Sequence, residues 1–229
     1  SGYVGNFKVK IEQKAKGIDW EKCTGCGLCM EKCPSKVPSE FDRSLGPRKA
    51  IYSPFPQAVP NKPVIDMENC LYYKNGKCGL CKKICETGAI DYDLMSKTIE
   101  EEFGAIIVAT GFDVYETSHI KEYGAGKIPD VIDSLAFERI LSASGPSAGD
   151  VRRPSDGKVP QNVVFIQCSG SRDPEKHKPY CSRICCMYTA KQAMLYQHAV
   201  HGGQAHVFYI DIRSGGKNYE EFVERAQSE

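Results

Sequence analysis

The chain has 229 residues, enough for a buried core and about two domains. Its 41% hydrophobic and 26% charged residues are those of an ordinary globular protein, and the net charge of +1 carries no basic run of the kind that nucleic acid or an anionic membrane requires. No apolar stretch approaches the ~18 residues that span a bilayer, and no apolar segment of secretory type opens the chain, so a cytoplasmic protein without a membrane span is expected.

Near the start, Phe7, Val9 and Ile11 alternate with Lys8 and Lys10, the pattern of a half-buried strand. The cysteines follow. The segment from Gly17 through Ile18 and Asp19 to Cys23 recurs from Val64 through Ile65 and Asp66 to Cys70. Each copy continues into the same block, with Cys26, Gly27, Leu28 and Cys29 leading to Cys33, and Cys78, Gly79, Leu80 and Cys81 leading to Cys85. Within the copies the one length difference is five extra residues between Cys70 and Cys78. Such a repeat indicates duplication of one unit, each copy reading as a short strand, a cysteine loop and a brief helical turn.

Twelve cysteines in clusters with two-residue gaps point to thiolate–metal bonds, whereas disulfides would need an oxidising compartment. The run Cys23-x2-Cys26-x2-Cys29-x3-Cys33-Pro34 is that of bacterial two-cluster ferredoxins, in which the fourth cysteine serves the cluster of the other repeat. Cys23, Cys26, Cys29 and Cys85 are therefore expected on one [4Fe–4S] cluster, and Cys70, Cys78, Cys81 and Cys33 on another. Gly25, Gly27 and Gly79 are expected to let backbone N–H groups approach the sulfides. Zinc also takes four thiolates and is the competing reading, although zinc sites pair two Cys-x2-Cys hairpins. The second run departs from the pattern in its long first gap and in Glu86, which stands where the first run has Pro34.

After the second copy, residues 98–103 lead into the unbroken apolar run 105–109, the mark of a parallel strand buried on both faces. It ends in Ala109, Thr110 and Gly111, a tripeptide similar to the segment where thioredoxin-reductase-type FAD domains close over the flavin. A buried strand entering a turn is the plainer alternative. Further on, residues 162–167 read as a strand, 182–201 as a helix free of Gly and Pro until Gly202, and 206–210 as a second strand, a βαβ unit. Its first turn, from Cys168 to Arg172, lacks G-x-G-x-x-G, as does the rest of the chain, so no nicotinamide cofactor is expected there. A complete FAD domain of this class needs that turn under its pyrophosphate; the chain is expected to hold the later part of such a domain. Cys168, Cys181, Cys185 and Cys186 form a third group, Cys-x12-Cys-x3-Cys-Cys, expected at the tip of the helix and open to a third [4Fe–4S] cluster, to zinc or to no metal. The five histidines show no ligand spacing, and Glu100, Glu101 and Glu102 read as an exposed strand end.

With these residues in hand, the sequence resembles the A subunit of heterodisulfide reductase, an iron–sulfur flavoprotein of methanogens and related anaerobes. The resemblance runs from Gly2 to Phe222 and is specific at Arg48 to Tyr52, the proline-rich 54–63, Ala109 to Gly111, Arg153 to Gly157 and, above all, Tyr180 to Tyr188. It implies a two-cluster ferredoxin-like domain inserted into a partial thioredoxin-reductase-like FAD/NAD(P)-binding fold, an α/β fold with an α+β insert. The expected boundaries are 1–12 and 98–160 for the FAD-domain parts, 13–97 for the insert and 161–229 for the βαβ part. A cluster on the Cys168 group is also implied, as is an internal fragment or split subunit completed by another chain or segment.

The implied activity is electron transfer between FAD and clusters in flavin-based bifurcation or confurcation, with ferredoxin and the CoM–S–S–CoB heterodisulfide as couples. Other heterodisulfide reductase subunits and a hydrogenase or formate dehydrogenase-type donor are the implied partners. The resemblance also places Lys191 beside the flavin N5, paired with Glu138 in the helical segment 135–141, where sequence alone favours two solvated charges. A free-standing ferredoxin-like carrier or docking adapter without its own flavin is the alternative, and a zinc-stabilised scaffold a third.

Overall fold

The computed structural model describes all 229 residues, which divide into two units, Ser1–Phe112 and Asp113–Glu229. The expected 98–160 piece is shared between them. In the first unit β1 (Gly2–Tyr3), β2 (Asn6–Gln13) and a later strand form one antiparallel sheet. Then come α1 (Leu28–Lys32), β3 (Lys36–Pro38), β4 (Pro47–Lys49), β5 (Ile51–Tyr52), β6 (Val64–Ile65), α2 (Leu71–Asn75), α3 (Leu80–Ile84) and that closing strand, β7 (Lys97–Phe103). β2 pairs with β7 from Phe7↔Phe103 to Gln13↔Lys97, so the cysteine repeats lie between two strands of one hairpin. Lys8 sits opposite Glu102 with Nζ 3.5 Å from Oε1, and Lys10 sits opposite Glu100, a cross-strand charge pattern that fixes register more than it adds stability. Phe7, Val9 and Ile11 alternate as the half-buried residues of β2.

Between these strands the repeat is visible as matched hydrogen bonds. Ile18 bridges Ile90 while Ile51 pairs with Ile65, so the strand entering each repeat meets the strand leaving the other. Asp19 N–H donates to Ala89 O at 2.8 Å and Asp66 N–H to Ala50 O at 2.7 Å; Cys23 N–H donates to Asp19 O at 3.0 Å and Cys70 N–H to Asp66 O at 2.9 Å. The core at this crossing is Ile18, Ile51, Ile65, Ala89, Ile90 and Tyr92, with the cysteines packed around it. Each buried isoleucine contributes about 2 kcal/mol of hydrophobic stabilisation, and the arrangement cannot form from one repeat alone.

Residues 105–109 correct the sequence expectation. They form no strand, and Ile106, Ile107 and Val108 are 56%, 90% and 80% exposed. A parallel strand needs neighbours on both sides for its N–H and C=O groups and cover on both faces, and no strand of this chain pairs with the segment.

In the second unit, α4 (Ser134–Leu141) starts where the Asp133 carboxylate accepts the Ala136 N–H at 2.8 Å. β8 (Asn162–Ile166), α5 (Cys185–Ala199) and β9 (Gln204–Phe208) make the βαβ unit, its two strands parallel from Asn162↔Gln204 to Ile166↔Phe208; α6 (Tyr219–Ser228) closes the chain. Phe137 of α4 meets Phe165 edge-on at 5.5 Å, beside the fully buried Tyr196, whose hydroxyl donates to Pro160 O at 2.8 Å. Two boundaries move from those expected. The helix begins at Cys185, not 182, because Arg183 adopts φ +64°, outside the helical region. The second strand runs 204–208 in place of 206–210. The architecture is mixed α/β with an inserted cysteine-rich unit, and no helix is long and apolar enough to cross a membrane.

Candidate cluster-binding sites

All twelve cysteines are free thiols. In the first unit eight of them ring two cavities. One is lined by Cys23, Cys26, Cys29 and Cys85, with Ile18, Ala89 and Ile90 among its walls. The other is lined by Cys33, Cys70, Cys78 and Cys81, with Ile51 and Ile65 in the matching places. Each cavity thus draws three sulfurs from one repeat and the fourth from the other. No set of three Cys, His, Asp or Glu side chains is arranged to hold a single metal ion. Four thiols around one space are the donor set that a [4Fe–4S] cluster and a zinc ion both take.

The loops explain how the thiols come to face inward. Gly25 has φ +77°, and a Cβ there would lie 2.8 Å from Asn61 O, so only glycine closes the first loop. Its N–H donates to Cys23 Sγ at 3.4 Å. Gly27, at φ +82°, caps α1, whereas Gly79, at φ −168°, is extended backbone with open space around it and needs no glycine. The five extra residues between Cys70 and Cys78 are taken up by α2, which ends on Gly76 at φ +67°.

Burial, followed by the charge of neighbouring Cys81, pushes the Cys29 thiol up to about 11. Cys81 is raised by burial, against the lowering effect of its hydrogen bond with Tyr92. Cys85 goes the other way: burial raises it, but Thr87 Oγ1 at 3.5 Å and the Ala89 N–H at 3.3 Å outweigh that and lower it. The Cys29 thiol therefore keeps its proton at neutral pH, and a metal binding to it would displace that proton.

In the second unit Cys168 follows β8 at φ +58°, and Cys185 and Cys186 open α5. Cys186 is buried, donates to Gln167 Oε1 at 3.3 Å and accepts the Arg213 N–H at 3.3 Å; burial first, then the charges of Cys185 and Cys168, raise its thiol. Cys181 lies on the loop before the helix, where its sulfur accepts the Arg183 N–H at 3.3 Å. The expected helical turn joining Cys181 to Cys185 is absent, because the chain reverses through Arg183. Arg172 clasps Asp211 through two bonds of 2.7 and 3.1 Å, with a guanidinium nitrogen 4.0 Å from Cys168 Sγ. That cation beside the third group has no signal in the sequence beyond its place in the 168–172 turn.

Lys191 Nζ lies 2.6 Å from Glu138 Oε1, joining α5 to α4. Gln192, 2% exposed, donates to Glu138 Oε2 at 3.0 Å and to Ser134 O at 2.9 Å, leaving its own Oε1 buried without a partner. Burial would raise the Glu138 carboxyl, but Lys191 and Gln192 prevail and lower it. Ala109, Thr110 and Gly111 belong to the first unit, in the exposed segment that follows β7, with Gly111 at φ +74°.

Residues 17–39 match the family described as a 4Fe-4S binding domain. Beyond that segment, the likeness to known proteins covers the chain from end to end. The A subunit of the H(2):CoB-CoM heterodisulfide,ferredoxin reductase of Methanothermobacter marburgensis is 50% identical over 99% of the chain. The second of two CoB–CoM heterodisulfide reductase iron-sulfur A subunits of Methanopyrus kandleri is 51% identical over 100% of it. The chain is a homologue of the heterodisulfide reductase A subunit. The corresponding A subunit of the H(2)/formate:CoB-CoM heterodisulfide,ferredoxin reductase of Methanococcus maripaludis adds a third case at 46% identity over 100%. The chain spans 34% of the length of each of these relatives.

Proposed function

We propose that this chain is the cluster-bearing portion of the A subunit of a heterodisulfide reductase-type complex, passing electrons between FAD and [4Fe–4S] clusters. The observation that carries the reading is the pair of four-cysteine cavities, each completed by a sulfur from the opposite repeat. In this reading Cys23, Cys26, Cys29 and Cys85 hold one cluster, Cys33, Cys70, Cys78 and Cys81 a second, and Cys168, Cys181, Cys185 and Cys186 a third. A bound cluster stores and releases one electron. The chain's own contribution is to deliver thiolates, keep water from the buried ones and set the hydrogen bonds that reach their sulfurs.

Ala109, Thr110 and Gly111 form the flavin segment of a partial thioredoxin-reductase-like fold, completed by the remainder of the subunit. The uncovered run 105–109 supports this, since an exposed apolar segment of this composition is suited to pairing with strands the chain does not contain. Lys191, held by Glu138, is the charge that tunes the flavin, because a cation beside N5 favours the anionic reduced form. The couples are ferredoxin and the CoM–S–S–CoB heterodisulfide. The partners are other heterodisulfide reductase subunits with a hydrogenase or formate dehydrogenase-type donor, a choice supported by the H(2) and formate in the relatives' names. The same exposed 105–111 segment also fits a second reading, a ferredoxin-like carrier with no flavin of its own.

Iron and flavin analysis of folded, anaerobically prepared protein tests the reading. About twelve irons per chain are expected, four for each cluster, with flavin appearing in the assembled complex. About eight irons with an intact fold would remove the third cluster, and stoichiometric zinc would overturn the reading altogether.

A further inference from the structure

The two cysteine cavities of the first unit come from one repeated sequence, yet different groups reach their sulfurs. At the second cavity the Tyr92 hydroxyl oxygen lies 3.1 Å from Cys81 Sγ, and the residue is 7% exposed. Its ring stacks on Tyr72 with centroids 3.7 Å apart and planes within 14°, and its carbonyl accepts the Tyr73 hydroxyl at 2.8 Å. Tyr72 and Tyr73 both stand on α2, the turn made by the five residues that the first repeat lacks. The insertion therefore builds the clamp that aims Tyr92. At the first cavity no tyrosine lines the wall. A hydroxyl reaches a sulfur there only as Thr87, 3.5 Å from Cys85 Sγ on an exposed loop, and backbone donors include the Gly25 and Ala89 N–H groups at 3.4 and 3.3 Å.

We propose that Tyr92 donates its phenolic hydrogen to the Cys81 thiolate and raises the reduction potential of the cluster in the second cavity relative to what the thiolates alone would give. The proposal rests on the cluster reading above. Reduction brings one electron into the cluster and breaks no bond, and the added negative charge spreads over irons, sulfides and thiolates. An O–H dipole held against one of those thiolates stabilises the reduced form more than the oxidised form, and its burial removes the water that would otherwise screen it. Two copies of one repeat thus make two clusters that differ in the hydroxyl aimed at a thiolate. Tyr92 acts through Cys81 and is a positioning and tuning residue rather than a catalytic one.

The test is an EPR-monitored redox titration of the full chain, with dithionite as the electron source. The second cluster's signal is identified by its loss in Cys78→Ala. Tyr92→Phe keeps the stacked ring and deletes the donor. At the ambient potential that half-reduces the second cluster in the parent, the variant's ratio of reduced to oxidised cluster should fall about five-fold, the equivalent of one hydrogen bond. The first cluster should not move. Thr87→Val should change the first cluster by less than this, because its contact is longer and solvated. An unchanged ratio in Tyr92→Phe with full iron content overturns the proposal, as does an equal shift of both clusters. If Tyr92→Phe does not retain its second cluster, Tyr72→Leu decides, since it keeps the hydroxyl but frees the ring. A smaller fall of the same sign supports the proposal and no change overturns it. Absence of the second cluster from the parent overturns the underlying reading instead, and iron analysis before any substitution distinguishes that case.

Discussion

The crossed strands under the two cysteine cavities and the parallel pair β8–β9 are similarly apolar, but they end in opposite states. Ile18, Ile51, Ile65 and Ile90 are 2–6% exposed, because each repeat supplies the strand and the side chains that cover the other. In β8 and β9, one face meets α4 and α5 while Val164, Ile166 and Phe208 on the other are 55%, 43% and 62% exposed. A parallel sheet is normally covered on both faces. The contrast teaches that burial here follows the availability of partners, not apolarity. The duplicated unit carries its complement with it. The βαβ unit does not, in keeping with a chain that spans about a third of its relatives' length.

The strongest way to break this comparison is to empty a core position on each side of it. Ile65→Ala should destabilise the first unit by about 2–5 kcal/mol, since the site is sealed and cannot relax. Val164→Ala should change the second by less than about 0.5 kcal/mol. Urea unfolding, followed by cluster absorption for one and helix signal for the other, measures both. Equal losses would mean that the open face of β8 is covered after all.

A subtler effect is expected at Lys191. The pair with Glu138 is only half-buried, so Lys191→Ala should cost less than about 1 kcal/mol. Because the Glu138 carboxyl is lowered by its partners, that contribution is present above its unfolded pKa of about 4.3 and is lost as the pH falls through the folded value. In the assembled complex the same variant should shift the flavin potentials while iron content stays constant. Unchanged potentials and turnover would leave the pair a helix-to-helix tie and nothing more.

What can be read from the sequence follows the same division. Cysteine spacing is local, and a motif set within a dozen residues is enough to expect Cys33 and Cys85 at the cavities of the opposite repeats, where the fold puts them. The matched Ile-Asp segments mark the crossing strands for the same reason. The run 105–109 misleads because its composition reports a buried environment that only distant strands could supply. The start of α5 is displaced from its expected position because Arg183, with no glycine or proline to mark it, turns left-handed ahead of Cys185. Tyr92 escapes the sequence for another reason. It lies eleven residues beyond Cys81 with nothing in the spacing to join them, and only α2 and the folded core bring its hydroxyl to that sulfur.

The central claim is that the two repeats exchange a ligand, and Cys33→Ala tests it most directly. EPR of the anaerobically prepared variant should show loss or conversion of the cluster held by Cys70, Cys78 and Cys81, while the cluster on Cys23, Cys26 and Cys29 keeps its signal. Loss confined to the cluster on Cys23, Cys26 and Cys29, the one nearest Cys33 in sequence, would contradict the account.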